Sequence, residues 1–275
     1  MDERLDMDLE LTGKRALVTG SSSGIGAGIA EELAREGVLV VVHGRNAERA
    51  NAVAAKINAA GGQAKVAIGD LSNNEGATAA AEAALAAFGG IDILVNNAGG
   101  SFDTPNPSFF AVTPENLVAT YEANTVAAFR LIQALAPAMK ERGWGRIINI
   151  STAAAITPTS AQPDYGPAKA AMVNMSLGLS KTLRMTGVTV NCVSPGMIRT
   201  EGLMEFLGNF AQKRGWGDDI PKAEEYFVNG TGQTVGRVGE VADIAYAVTM
   251  LASPRSDIIN GTNLHVDAGI SPAIN

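Results

Sequence analysis

A tyrosine and a lysine four residues apart, Tyr165 and Lys169, are the side chains best suited to proton transfer. They open an Ala- and Met-rich stretch that predicts a helix to about Thr186, on which positions i and i+4 share a face. Pro167 fits the first helical turn, and Asp164 is a candidate cap before it. A cation beside a phenol favours the phenolate, so we expect Lys169 to lower the pKa of Tyr165 toward the working range. Taken alone, the pair also fits a half-buried tyrosine beside a solvated lysine.

A Gly-rich turn follows the first apolar run of the chain. Residues 15–19 have the form of a buried strand, and Gly20-Ser-Ser-Ser-Gly24-Ile-Gly26 leads from it into a helical pattern. In this arrangement free backbone N–H groups and the helix dipole point at one spot, which suits an anion. A generic Gly-rich loop is the alternative, but the position between strand and helix favours the pyrophosphate of a dinucleotide.

The second predicted strand, residues 38–42, indicates which dinucleotide is bound. It ends in His43-Gly44-Arg45-Asn46 instead of the carboxylate that would contact a ribose 2′-hydroxyl. The guanidinium of Arg45 suits bidentate contact with a 2′-phosphate, although a solvated loop arginine is the alternative. We therefore expect NADP as the cofactor, with NAD as the second choice.

Strands and helices alternate along the rest of the chain. Further strands are predicted over residues 64–68, 91–95, 146–150, 188–193 and 263–266. Helices are predicted over residues 47–60, up to Phe88, from Pro114 behind a Thr113 cap, and over residues 241–251. This alternation predicts an α/β fold: a doubly wound, mostly parallel, seven-stranded sheet with helices on both faces and ligands at the carboxyl ends of the strands. We expect one domain over residues 1–275.

Residues 200–237, called the lid segment below, are the least regular part of the chain. Leu203, Phe206, Leu207 and Phe210 have the spacing of one apolar helix face. That face fits either a substrate lid or plain packing against the core, and the pattern alone does not choose between them.

Composition restricts the class of protein. The net charge of −7 argues against nucleic acid or an anionic membrane as the main partner. One cysteine, Cys192, excludes an internal disulfide, and with only two histidines we expect no soft-ligand metal site. The acidic N-terminus is unlike a signal peptide, and no apolar run approaches the ~20 residues that span a bilayer. We expect a cytoplasmic protein.

Taken together, these motifs resemble those of the short-chain dehydrogenase/reductase family over nearly the whole chain. Residues 19–26 resemble its T-G-x-x-x-G-x-G cofactor motif, residues 96–99 its N-N-A-G turn, Tyr165 and Lys169 its Y-x-x-x-K pair, and residues 195–196 its P-G step. The resemblance implies cofactor contacts from Gly20, Ser22, Ser23, Gly24, Ile25, Gly26, Arg45, Asn46, Asp70, Leu71, Asn97, Ala98, Gly99, Tyr165, Lys169, Pro195, Gly196, Ile198 and Thr200.

Two positions depart from the family pattern. The family usually has a serine thirteen residues before the tyrosine, where this chain has Thr152 and places Ser151 next door. Members that prefer NADP often carry a basic residue just before the second glycine of the first motif, where this chain has Ser23. The NADP prediction therefore depends on Arg45.

The resemblance implies an NADP-dependent oxidoreductase that interconverts an alcohol and a ketone. Tyr165 would be the general acid/base, Lys169 would hold the nicotinamide ribose, Thr152 would hydrogen-bond the substrate oxygen and Asn124 would hold a proton-relaying water chain. It also implies a homotetramer, and the aromatic and aliphatic lid segment predicts a partly apolar small-molecule substrate. The alternative is a dinucleotide-binding sensor or scaffold without turnover, against which the complete Tyr165–Lys169 pair argues.

Overall fold

Seven parallel strands form one sheet in this computed structural model, which describes residues 8–100, 108–160 and 162–272. The strands of the described residues are β1 (Arg15–Val18), β2 (Leu39–Gly44), β3 (Gln63–Ile68), β4 (Ile93–Asn96), β5 (Gly145–Ile150), β6 (Val188–Pro195), β7 (Ile198–Arg199), β8 (Gly239–Glu240) and β9 (Asn263–Val266). The sheet has the order β3-β2-β1-β4-β5-β6-β9, while β7 and β8 form a separate short ribbon. The strand order reverses between β1 and β4, and a crevice forms at the carboxyl ends of the strands at such a point.

Helices cover both faces of this sheet. They are α1 (Gly24–Arg35), α2 (Ala47–Ala59), α3 (Asn74–Phe88), α4 (Pro114–Tyr121), α5 (Ala127–Arg142), α6 (Tyr165–Thr182), α7 (Glu201–Lys213), α8 (Ile220–Gly230) and α9 (Val241–Ala252). Alternate residues of β1 belong to opposite cores: Ala16 and Val18 pack with α1, α2 and α9, whereas Leu17 packs with α3 and α5. Strands buried on both faces read as continuous apolar runs, which is why their pattern was visible in the sequence.

The predicted fold class is therefore confirmed, with two differences in detail. The helix that begins at Tyr165 ends at Thr182 and not near Thr186, because Met185 and Gly187 adopt positive φ angles of 59° and 77°, which a right-handed helix does not accommodate. The ribbon of β7 and β8 was not predicted, because two residues per strand are too few to show any periodicity.

The lid segment contains the helical pair α7 and α8. Leu207 and Ala211 of α7 pack against Ala223 of α8 in a small apolar cluster of their own, separate from the two cores on the sheet. The apolar face of α7 thus packs on α8 and not on the two cores of the sheet, while Phe206 stays 49% exposed. A substrate lid remains the prediction for this segment.

None of the helices in residues 8–100, 108–160 and 162–272 combines the length and the apolar character that a membrane span requires.

Candidate active site

A cleft of about 520 Å³ lies at the carboxyl ends of the central strands. It brings together many of the predicted site residues: Ser23, Gly24, Ile25, Asn97, Gly99, Thr152, Tyr165, Lys169, Pro195, Gly196 and Thr200. It is also lined by residues that sequence reasoning did not select: Arg49, Ile150, Ser151, Glu201, Gly202 and Glu205. The segments converge because the alternating topology places each strand's exit turn at the same edge of the sheet.

The Gly-rich turn folds tightly against the turn that follows β4. A side chain at Gly20, where φ is 62°, would meet the Cα atom of Ala98 at 2.9 Å. A side chain at Gly26 would lie 2.5 Å from both the Nδ2 atom of Asn97 and the carbonyl oxygen of Gly20. These two glycines therefore permit the close approach of backbone to backbone that narrows this end of the cleft.

Thr19 joins the same two turns and was missed as a site residue. Its Oγ1 accepts hydrogen bonds from the backbone N–H groups of Asn97 and Ala98, each at 2.9 Å. In return, the Asn97 side-chain amide donates to the Thr19 carbonyl oxygen at 2.9 Å. The signals in the sequence were its position at the end of a buried strand and its place as the first residue of the segment that resembles the T-G-x-x-x-G-x-G motif.

The N-terminus of α1 has the features of an anion site. Ser23 is its N-cap residue, yet the Ser23 side chain makes no capping hydrogen bond, and the first turn of α1 contains no acidic residue. The first backbone N–H groups of a helix have no intrahelical partner, and the helix dipole favours negative charge there. Since Ser23, Gly24 and Ile25 line the cleft, these residues fit the pyrophosphate of a dinucleotide.

Arg45 and Asp70, both predicted cofactor contacts, lie near one another just beyond β2 and β3. Arg45 is exposed just beyond β2. The backbone N–H of Ser72 donates to the Asp70 carboxylate at 3.0 Å, and this bond together with the nearby positive charge of Arg45 lowers the pKa of Asp70. Asn46 uses its side chain to cap α2, accepting from the Arg49 N–H at 3.0 Å.

Two predicted contact residues have side chains that point into the protein. Leu71 is 5% exposed and packs with α3 and α5, while Ile198 is 6% exposed and packs with α9. Neither residue lines the cleft. Any contact they make with a cofactor would come from their backbone atoms.

His43 forms a hydrogen bond with Gly20 of the Gly-rich turn, a contact that the sequence did not reveal. The buried imidazole accepts the Gly20 N–H on Nδ1 at 3.2 Å, and its Nε2 lies 3.2 Å from the Gly69 carbonyl oxygen. A carbonyl can only accept, so Nε2 carries the proton of the neutral ring. Burial lowers the pKa of His43 to about 4, which keeps the ring neutral at physiological pH.

This histidine predicts an acid-sensitive stability. The folded-state pKa lies below the ordinary value of 6.5, so the unfolded chain binds more protons and stability falls as the pH drops from 6.5 toward 4. We expect His43 to contribute a loss of about 2 kcal/mol in the free energy of unfolding between pH 7 and pH 5. Urea denaturation of the wild type and of His43→Gln at both pH values measures this. Equal losses in the two proteins would contradict the assignment.

Tyr165 and Lys169 stand at the head of α6, as predicted, and both line the cleft. The buried ammonium of Lys169 donates to the Ile150 carbonyl oxygen at 2.8 Å and lies 5.7 Å from the centroid of the Tyr165 ring. Burial lowers the pKa of Lys169 to about 8 and raises that of Tyr165 to about 12. The expectation that Lys169 lowers the pKa of Tyr165 is thus wrong for this structure, because burial disfavours the phenolate and Lys169 is not among the groups that shift this pKa.

Asp164 occupies the N-cap position of α6, as predicted, but its side chain does not cap the helix. Its carboxylate accepts a hydrogen bond from the Thr120 hydroxyl at 2.6 Å, and the side chain makes no capping bond. The side chain is buried between α6 and α4, so a tertiary partner replaces the local one. The predicted position is therefore correct, whereas the expected capping bond is absent because the carboxylate bonds to Thr120 instead.

Asn124 lies in a π-helical turn, Glu122–Val126, between α4 and α5. Its side-chain amide donates to the carbonyl oxygens of Thr120 and Gly100, each at 2.7 Å, and its Oδ1 accepts the Gly100 N–H at 3.2 Å. Asn124 is fully buried and does not line the cleft, and its side chain contacts the loop after β4 instead. Single π-helical turns are frequent at functional sites.

Ser151 and Thr152 make different contacts. The buried Ser151 hydroxyl donates to the Lys169 backbone carbonyl at 3.2 Å, toward α6. Thr152 is half-buried, and its Oγ1 accepts the Ala154 N–H at 3.3 Å, which leaves its own proton available to another acceptor. This favours Thr152 over Ser151 as the hydroxyl that could donate to a ligand.

Metal and thiol chemistry have no evident site in residues 8–100, 108–160 and 162–272. No group of three or more His, Cys, Asp or Glu side chains there is placed to hold a metal ion. The Cys192 thiol is buried beside the Ser176 hydroxyl, and burial raises its pKa to about 11. A thiol in that state is a poor nucleophile.

Comparison with known proteins identifies relatives that match this chain over nearly its full length. A family model described as short chain dehydrogenase matches residues 14–208. Among curated proteins, the chain is 35% identical to the 3-oxoacyl-(acyl-carrier-protein) reductase of Haemophilus influenzae over 260 residues, which cover 94% of this chain and 99% of that protein.

Solved structures agree in fold. The L-sorbose reductase of Gluconobacter frateurii, complexed with NADPH and L-sorbose, superposes with a TM-score of 0.92 at 30% identity, covering 98% of this chain and 100% of that one. A 7α-hydroxysteroid dehydrogenase complexed with NADH and 7-oxo glycochenodeoxycholic acid gives 0.85 at 32% identity, with 98% of each chain covered. The same fold thus holds either dinucleotide, and substrates as unlike as a sugar and a bile acid.

Proposed function

Given that the chain belongs to the short-chain dehydrogenases, we propose that it interconverts an alcohol and a ketone with NADP as hydride carrier. One observation carries this proposal: Tyr165, Lys169 and Thr152 line the same cleft as the uncapped N-terminus of α1. The candidate proton carriers and the candidate dinucleotide-binding end therefore line one cleft. Such an arrangement suits a reaction in which a proton and a hydride move to the same carbonyl group.

The protein's own residues supply proton transfer and orientation. Tyr165 holds its proton at neutral pH and would donate it to the carbonyl oxygen in reduction, or accept it back in oxidation. Thr152 would hold that oxygen with its free hydroxyl proton, and Lys169 would bind the ribose hydroxyls of the cofactor. When bound, the nicotinamide supplies or accepts the hydride.

The proton supply is proposed to involve Asn124. Its amide is fixed by three hydrogen bonds to the backbone of Thr120 and Gly100. A buried amide held in this way gives the loop beside Lys169 one fixed conformation, which a water chain to Tyr165 would require. The water chain itself is part of the proposal.

The lid segment indicates which class of substrate the cleft could accept. Glu201, Gly202 and Glu205 of α7 line the cleft, and Phe206 of the same helix is 49% exposed. We propose that this helix covers a partly apolar small-molecule ketone or alcohol.

A panel of ketones and alcohols, followed by nicotinamide absorbance with NADP and with NAD, tests the proposed function. Binding of a cofactor without turnover of any compound would favour the sensor or scaffold alternative.

The preference for NADP is expected to depend on Arg45. A charged hydrogen bond to phosphate is worth about 1.5–3 kcal/mol, so Arg45→Ala should weaken NADP binding by roughly ten- to a hundredfold and leave NAD binding nearly unchanged. Isothermal titration of both cofactors measures the two dissociation constants. Arg184→Ala, an exposed arginine beyond the end of α6, is the matched control. Equal weakening of both cofactors would count against a 2′-phosphate contact.

We further propose that the protein is a homotetramer. Exposed apolar side chains lie on α4, α5 and α6, namely Leu117 and Val118, Phe129, and Leu177. Apolar faces of this kind mark surfaces that pair with another chain. Light scattering at micromolar concentration should give four times the chain mass of 28.3 kDa. A species of the mass of one chain would contradict the assembly.

A further inference from the structure

Arg49 occupies a place at the cofactor cleft that neither the motifs nor the proposed reaction uses. It lies in the first turn of α2, and its side chain lines the cleft together with Ser23, Gly24 and Thr200. Its Nη2 atom is 3.2 Å from Oε2 of Glu201, the first residue of α7. The ion pair therefore joins α2 to the lid segment across the mouth of the cleft.

This ion pair contributes little to the stability of the folded protein. The side chains are 58% and 86% exposed, and solvent screens pairs of such exposure so that they contribute little. A cation in the first turn of α2 also faces the positive end of the helix dipole, which is unfavourable. An anion at the same place would gain from both the guanidinium and the helix end.

The neighbouring residues indicate which anion fits. Arg45 and Arg49 lie on the two sides of the Asn46 cap, and the side chain of Arg49 shares the cleft wall with Ser23. Ser23 is the position at which related proteins that prefer NADP often carry a basic residue. In this chain Arg49 of α2 lines the same cleft as Ser23, so a guanidinium is available there although residue 23 is not basic.

We propose that Arg49 is a second contact for the 2′-phosphate of NADP and that Glu201 competes with the phosphate for it. The inference rests on the proposed NADP dependence. Binding of the 2′-phosphate replaces the Glu201 carboxylate on Arg49, whereas binding of NAD leaves the ion pair in place. Glu201 thus lowers the affinity for NADP and does not affect the affinity for NAD.

Isothermal titration with NADPH and with NADH tests the proposed contact and competition. It compares the wild type, Arg49→Gln, Glu201→Gln and the double variant. Arg49→Gln should weaken NADPH binding by roughly tenfold or more, with NADH within about twofold. Glu201→Gln should tighten NADPH binding by roughly two- to fivefold, since the competing charge is removed. In the double variant, NADPH affinity should equal that of Arg49→Gln. Arg35→Gln, which removes an exposed arginine paired with Glu32 on α1, is the matched control.

The outcomes separate this inference from the proposed function. If Arg45→Ala removes the NADP preference and Arg49→Gln does not change it, Arg49 is only a surface ion pair and the inference is overturned. Equal weakening of both cofactors by Arg49→Gln overturns it too, because the contact would then be to the pyrophosphate. A tightening by Glu201→Gln that persists without Arg49 would refute the competition. If the wild type shows no NADP preference, the cofactor assignment itself fails.

Discussion

Tyr165→Phe is expected to lose nearly all turnover while the cofactor dissociation constants stay at wild-type values. The substitution removes one hydroxyl and almost no volume, so the half-buried ring should keep its packing at the head of α6. What disappears is the proton that the phenol holds at neutral pH, its pKa being raised by burial to about 12. General acid–base catalysis contributes about 10²–10⁴-fold, and kcat should fall by a factor in that range.

The measurement compares kcat with the affinity for NADP obtained by titration. Tyr246→Phe, at a tyrosine of α9 that is 65% exposed, is the matched control and should behave as the wild type. A selective loss of kcat identifies a proton carrier, whereas a parallel loss of affinity would indicate a damaged fold. Full activity of Tyr165→Phe would remove the phenol from the reaction and favour the sensor or scaffold alternative.

The second large effect is expected at Thr152. Thr152→Ala should reduce kcat by the ~10²–10³ typical of losing one donor to a developing oxyanion. Thr152→Ser keeps the hydroxyl and removes only the methyl group, so most activity should remain and bulkier ketones should be accepted. Steady-state kinetics on a series of ketones of increasing size measure both effects.

Ser151→Ala is the control for this series. The Ser151 hydroxyl donates to the Lys169 backbone carbonyl inside the protein, so its loss should lower stability by about 1 kcal/mol and change kcat little. Thermal unfolding and kcat measured on the same preparation separate the two effects. A reversed result, with Ser151→Ala folded but nearly inactive and Thr152→Ala active, would show that the substrate contact is one residue away from its predicted place.

The pKa shifts of Tyr165 and Lys169 depend on surroundings that the sequence does not show. The spacing of Tyr165 and Lys169 correctly predicted that both line one cleft, because i and i+4 share a helix face whatever the surroundings. The direction of their pKa shifts depends on burial, which disfavours the charged form of each group. Burial comes from segments distant in sequence, such as β5, whose Ile150 carbonyl accepts the hydrogen bond of the ammonium, and no local pattern reports them.

By itself, the sequence determined the seven-stranded sheet, the helices on both its faces and the Gly-rich turn at the end of β1. Each depends on local periodicity or on a backbone requirement, and buried parallel strands make that periodicity strong. Only the tertiary structure decided that Asp164 pairs with Thr120, that His43 holds Gly20, and that Arg49 meets Glu201. The partners in these three contacts are 44, 23 and 152 residues apart in sequence. Such contacts form where the fold brings separate segments together, so their chemistry depends on neighbours that a local sequence pattern does not contain.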